Sequence, residues 1–248
     1  MLEFLNYGLQ YAIYVLEAFL FLLLLRRGEW KRQLGVSVYL VSLLVVDAFA
    51  RPYFLYRYGL QSNPYGYCYW LTDILLALEA FGLMCFFFHR ACARDPELWR
   101  LLRASLIVVF VLVAGISYLV ISHNYDRVQR HSDRFIYEFD QNLYFTCLVL
   151  NTLLFVLLQR IEDADQELGL LVCGMGIEFA GPAASLALVH VTSGWPAAYS
   201  LLGYVMPVCT LGMLLVWLYA ITASHKDATE GSSSPMRVPI LAEVAGVK

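Results

Sequence analysis

Seven long apolar runs separated by short polar segments constrain this chain more than any other feature. They are Gly8–Leu25, Leu34–Ala50, Cys68–Phe88, Ala104–Ser122, Asn142–Leu158, Leu168–Val191 and Ala198–Thr222. A helix needs about 20 apolar residues to cross about 30 Å of hydrocarbon. The second and fifth runs are short, but the second extends through Arg51 to Tyr56 and the fifth into its polar flanks. Lipid offers the backbone no hydrogen-bond partners, so each run is expected to be helical; barrel strands would alternate, which these runs do not. The chain is 60% hydrophobic and 15% charged, against about 45–50% and about 25% in globular domains. A soluble fold of this size cannot bury that much apolar side chain.

The expected fold is therefore an all-α integral membrane protein. Residues 1–223 would form a seven-transmembrane helix bundle, and 224–248 a flexible cytoplasmic tail rich in Gly and Ser around Glu230–Pro235. The N-terminal segment carries Glu3 and no basic residue before its first run, so that run is expected to be a retained span rather than a cleaved signal.

Lys and Arg set the orientation. With the N-terminus outside, the inner segments hold Arg26, Arg27, Lys31, Arg32, Arg90, Arg94, Arg100, Arg103, Arg160, Lys226, Arg237 and Lys248. The outer segments hold Arg51, Arg57, Arg127, Arg130 and Arg134; twelve against five obeys the positive-inside rule. Trp30, Trp99 and Trp195 fall at interface depth. Asp95-Pro96-Glu97 predicts a capped helix start with Pro in the first turn. Asn63-Pro64-Tyr65-Gly66 predicts a turn within the tyrosine-rich outer segment Arg51–Tyr69, and His123–Gln141 a long, mixed-charge outer loop. The six cysteines lie mostly inside the apolar runs and show no disulfide framework. A net charge of −3 gives no reason to expect a nucleic acid partner.

The informative residues are polar groups at membrane depth. Glu17 sits midway along the first span, Asp47 in the outer part of the second, Asp73 and Glu79 in the outer third and middle of the third. Asn151 is central in the fifth, Glu178 central in the sixth, and His190 near the sixth span's outer end. Each charge at such depth costs at least about 2.5–3.5 kcal/mol, so these groups are expected to face the bundle interior or a wet cavity. Arg51 stands one turn after Asp47 and can pair with it; Glu17, Asp73, Glu79 and Glu178 have no evident basic partner in the sequence. Either such acids are neutral and hydrogen-bonded, or a cation sits among them. All lie at the midplane or in the outer half, which predicts an outward-facing acidic cavity lined by the first three spans and the sixth.

The sixth span also carries Gly176, Ala180 and Ala184 at four-residue spacing, a small-residue stripe that permits close helix approach. Pro182, after Gly181, frees the carbonyl of Glu178, and Pro207 frees that of Gly203 beside Tyr204 in the seventh span. Both are ordinary membrane-helix kinks or the hinges of a polar midplane site.

Seven spans with the N-terminus outside is the layout of retinal proteins and G-protein-coupled receptors, but the motifs of both are missing. No Lys lies in Ala198–Thr222 for a retinal Schiff base, no Asn-Pro-x-x-Tyr occurs in that span, and Cys68 has no outer disulfide partner. Zinc-dependent membrane hydrolases need several His, and here only His190 is near the interior and no His-x-x-x-His exists. Two three-helix repeats about a linker span would suit the helix count of sugar transporters, yet no repeat motif aligns. The cofactor stays open, with no retinal Lys and no zinc motif.

The expected function is a non-enzymatic sensing or binding module of the cell (cytoplasmic) membrane. Its expected partners are the lipid bilayer, a cationic or small-molecule ligand from the outer side, and a cytoplasmic signalling partner. The alternatives are a proton- or cation-coupled transporter using the same acids, or a membrane enzyme in which two carboxyls lie within mutual reach.

Overall fold

A computed structural model describes residues 2–93, 95–123, 131–161, 165–191 and 196–233; within them, side chains are described except at 2–7, 29, 120–123, 131–138, 182, 184–191, 196–203 and 224–233. Among the described residues every regular element is helical: α1 Leu2–Arg26, α2 Leu34–Leu44, α3 Arg51–Tyr58, α4 Asn63–Ala91, α5 Pro96–His123, α6 His131–Arg160, α7 Gln166–Val191 and α8 Pro196–Ser233. A π-helical turn over Val45–Ala50 joins α2 and α3 into one rod. Among the described residues, six stretches are long and apolar enough to cross a membrane: Gly8–Arg26, Leu34–Tyr58, Asn63–Ala91, Pro96–Leu119, Phe139–Arg160 and Tyr204–Ala223. The 26-residue α7 stands beside them, and its side chains beyond Ala183 are among those not described.

Local chemistry sets the helix ends. Asp95 caps α5, its Oδ1 accepting from the Glu97 and Leu98 amides at 3.1 Å, as its sequence context predicts. Asp165 does the same for α7 through the Glu167 amide. Ser62 caps α4, accepting from the Tyr65 amide at 3.3 Å. The Asn63–Gly66 segment is thus the first turn of α4 rather than a loop, with Pro64 where its missing N–H has no intrahelical partner to lose. Pro52 accounts for the π turn: it cannot donate to the carbonyl of Ala48 and its ring would collide with it, so the backbone widens and Arg51 bonds back to Val46 instead.

Two expected boundaries move. α6 begins at His131, so Phe139, Asp140 and Gln141 belong to a helix and not to a loop ending at Gln141. α8 continues to Ser233, past the point where a flexible tail was expected to start. The side chains of Pro182, Ala184 and His190, together with Arg94, Arg127, Arg130, Trp195 and the chain beyond Ser233, lie outside the description.

The helices close a ring in the order α1, α2–α3, α4, α6, α7, α8 and back to α1, with α5 packed outside on α6 and α4. A hydrogen bond of 3.0 Å from Asn142 to the buried Ser117 pins α5 to the ring. The outward faces carry Val15, Phe19, Val108, Val111, Leu119, Leu153 and Leu215, large apolar groups left exposed as lipid-facing residues would be.

One end of the ring is packed solid. Leu20 and Leu24, Leu40, Phe87, Leu154, Leu171 and Trp217 are fully buried there. α7 and α8 approach most closely, because Gly174 lies under the Trp217 indole and Gly181 against Cys209 and Met206. Gly212 of α8 sits against Ile177. Gly176 faces Asn151 of α6 instead, and Ala180 is exposed, so the close contact runs along Gly174 and Gly181 rather than the expected Gly176–Ala180–Ala184 stripe.

At this plugged end a charged cluster ties the starts of α2 and α7 to the end of α4. Glu167, whose side chain is 4% exposed, accepts from Arg32 at 2.8 Å, from Arg90 at 3.1 Å and from the Gln33 amide; Arg90 also pairs with Asp165. Nearby, Arg27 donates to the Ile221 carbonyl at 2.6 Å, linking α1 to α8. Glu167→Gln leaves Arg90 with one carboxylate partner at a part-buried site and is expected to cost about 2 kcal/mol. A detergent-denaturation titration of the purified chain checks this; an unchanged midpoint would show that the cluster contributes nothing net.

Candidate functional site

The opposite half of the ring is hollow. A cavity of about 740 Å³ is lined by every ring element: Ile13 and Tyr14 of α1, Tyr39 and Leu43 of α2, Asp47 and Arg51, Tyr69 and Asp73 of α4, Tyr144 of α6, Glu178 of α7, and Pro207 and Thr210 of α8. The apolar plug shuts it on one side, so its mouth faces the end carrying α3 and the α3–α4 turn. The walls go beyond the four spans expected, since α6 and α8 also contribute. Its size is that of a pocket for a small molecule.

Arg51 organises the mouth. Its guanidinium donates to Asp47 at 3.2 Å, to Asp73 at 3.0 Å and to the Thr72 hydroxyl at 3.2 Å, while stacking 4.5 Å over the Tyr69 ring. The planar fork of Arg suits two carboxylates at once, which a Lys point charge does not. The pairing with Asp47 is the one-turn contact expected from spacing; that with Asp73 corrects the view that Asp73 lacks a basic partner. The π turn belongs to this arrangement, because Leu43, Asp47, Arg51 and Leu55 recur on the cavity wall across it.

Asp140 is the residue that sequence reasoning missed. Its carboxyl lies within hydrogen-bonding reach of that of Asp73, near Arg51, and its Oδ1 is buried without a partner. Arg51 thus bonds two carboxyls, with a third in its electrostatic range. The available signal was periodicity: Phe139, Leu143, Cys147, Leu150 and Leu154 form a buried face that extends a helix back through Asp140.

The other expected residues divide. Glu178 reaches the cavity, where its Oε1 accepts from the Thr210 hydroxyl at 3.2 Å and its Oε2 is buried with no partner. Glu17 is 0% exposed, and neither of its oxygens has a partner; it lies within electrostatic range of Asp47 and Glu178. Glu79 instead turns to α2, accepting from Ser42 at 2.9 Å. Asn151 is buried against Gly176, with its side-chain oxygen unpartnered. Tyr204 is half-buried on α8 just ahead of Met206 and Pro207, which do line the cavity. Gly181 is held against Cys209 close to Glu178. Among the described residues, no group of three or more His, Cys, Asp or Glu is arranged to hold a metal ion.

The fold and cavity define a class: among the described residues, an all-helical protein with several helices long and apolar enough to cross a membrane, around a tyrosine-walled pocket that carries a few charged groups. Comparison with known protein families, curated proteins and solved structures gives no match, so nothing outside the chain narrows that class.

Proposed function

We propose that the chain is a seven-span, N-out protein of the cell membrane whose cavity opens outward and binds a small ligand, relaying its occupancy to a cytoplasmic partner. The observation that carries this reading is the convergence of all ring helices on one cavity of about 740 Å³ holding Asp47, Asp73, Arg51 and Glu178. A ligand touching every helix stabilises one arrangement of the ring over others, which is what a relay requires. Basic residues dominate the plugged end, which the positive-inside rule places in the cytoplasm.

The test is ligand-dependent thermal stabilisation of the purified chain in nanodiscs across cationic, neutral and anionic compounds. A hit at a hundred times its Kd adds about 2.7 kcal/mol to stability, and Asp73→Asn or Glu178→Gln is expected to remove most of that gain. If every hit survives both substitutions, the cavity is not the site.

A second reading, a proton- or cation-coupled transporter, is favoured by Glu17. A fully buried acid with two unpartnered oxygens, within range of both Asp47 and Glu178, is the element a proton relay needs. On that reading Glu17→Gln abolishes pH-driven uptake in proteoliposomes while leaving ligand binding intact. Liposomes tight to protons under every condition count against it.

A further inference from the structure

The carboxyls around the cavity are not equivalent. Asp47 and Asp73 share Arg51, and Asp140 lies against Asp73. Glu178 has only a 3.2 Å hydroxyl contact from Thr210 on one oxygen, and its buried second oxygen has none. It is the cavity-wall carboxyl without a bonded cation among the described residues.

Its surroundings are aromatic. Tyr14, Tyr39 and Tyr144 line the same cavity. Tyr39 lies about two turns, or about 12 Å, below Asp47 on its rod, 3% exposed and braced edge-on by Trp217 at 6.1 Å between centroids. Tyr144 is braced by Phe179 at 6.3 Å. Ring faces carry negative potential and attract cations, most strongly where water is excluded. Arg51 over Tyr69 already shows one such pairing in this cavity.

Three ligand classes fit poorly. An anion meets an excess of carboxyls over one guanidinium. A hard metal ion asks for about six or more oxygens, and among the described residues no group of three or more His, Cys, Asp or Glu gathers to hold one. A neutral apolar molecule leaves the buried oxygen of Glu178 unsatisfied.

We infer, building on the cavity reading above, that the ligand carries a tertiary or quaternary ammonium head, seated between Tyr14, Tyr39 and Tyr144 with Glu178 as its counter-ion. The head stays weakly hydrated, so the rings replace its water shell at little cost, and Glu178 supplies the opposing charge.

The experiment compares choline and tetramethylammonium with 3,3-dimethylbutan-1-ol, the neutral carbon isostere of choline, by equilibrium dialysis against the full chain in nanodiscs. Choline is expected to bind at least about tenfold more tightly than the isostere. Glu178→Gln is expected to lower choline to the level of the isostere while leaving the isostere unchanged. The comparison on the unaltered chain needs no variant, so a misfolded substitution does not blunt it. Equal binding of choline and isostere overturns the ammonium assignment and leaves the cavity reading standing, as does a Glu178-dependent hit from another class when neither ammonium probe binds. If no compound of any class binds, both fall.

Discussion

Replacing Trp217 with Ala is expected to lower the stability of the bundle by about 3 kcal/mol, the lower end for a large buried aromatic because lipid, not water, surrounds the separated helices. Trp217 is 0% exposed, donates to the Leu171 carbonyl at 2.9 Å and braces Tyr39. Its indole occupies the space that Gly174 leaves open: a methyl group there would lie 2.6 Å from Cδ1 and 2.7 Å from Nε1. Gly174→Ala alone is therefore expected to cost about 1–3 kcal/mol by overpacking. The double variant should fall short of the sum by about 1 kcal/mol, since removing the indole removes the clash. Denaturant titrations in mixed micelles on the four proteins measure the coupling, and strict additivity would mean that the two residues do not share this contact.

Arg51→Gln is expected to be as damaging, at about 3–5 kcal/mol, because it strips the bonded cation from Asp47 and Asp73 together, beside a third carboxyl at Asp140. Most of such a loss is the penalty of carboxylates left uncompensated in a confined site, not the worth of the ion pairs. A second substitution that removes charge, Asp73→Asn, should then restore part of the stability lost in Arg51→Gln while destabilising the unaltered chain. The same titration decides it. If Asp73→Asn deepens the Arg51→Gln defect, the carboxyls are not held by that guanidinium.

These two sites differ in how visible they are from sequence. Asp47 and Arg51 stand one helical turn apart, so their pairing follows from local geometry. Asp73 joins Arg51 from 22 residues away, and no local rule supplies that contact. Asp140 sits in a charge-rich stretch that resembles a loop, because hydropathy treats charge as a sign of water and cannot register a counter-ion held on a neighbouring helix. Glu167 was missed for the same reason: beside Leu168 it marks a span's start, and only the packed end of the ring sets Arg32, Gln33 and Arg90 around it. Glu79 shows the converse, a deep acid that turns to Ser42 rather than to the cavity.

The amino-acid order alone determined the helical runs, the cap at Asp95 with Pro96 behind it, and the concentration of basic residues at one end. Each follows from backbone hydrogen bonding, from a fixed proline φ or from charge confined to short segments. Tertiary structure decided which face of each helix turns inward, and with it which acids share Arg51, which one faces the tyrosines, and that α5 stays outside the ring. The reason is physical. In lipid, a leucine is equally at home against a neighbouring helix and against acyl chains, so apolar periodicity carries no inward direction, and packing shape together with buried charge must supply it.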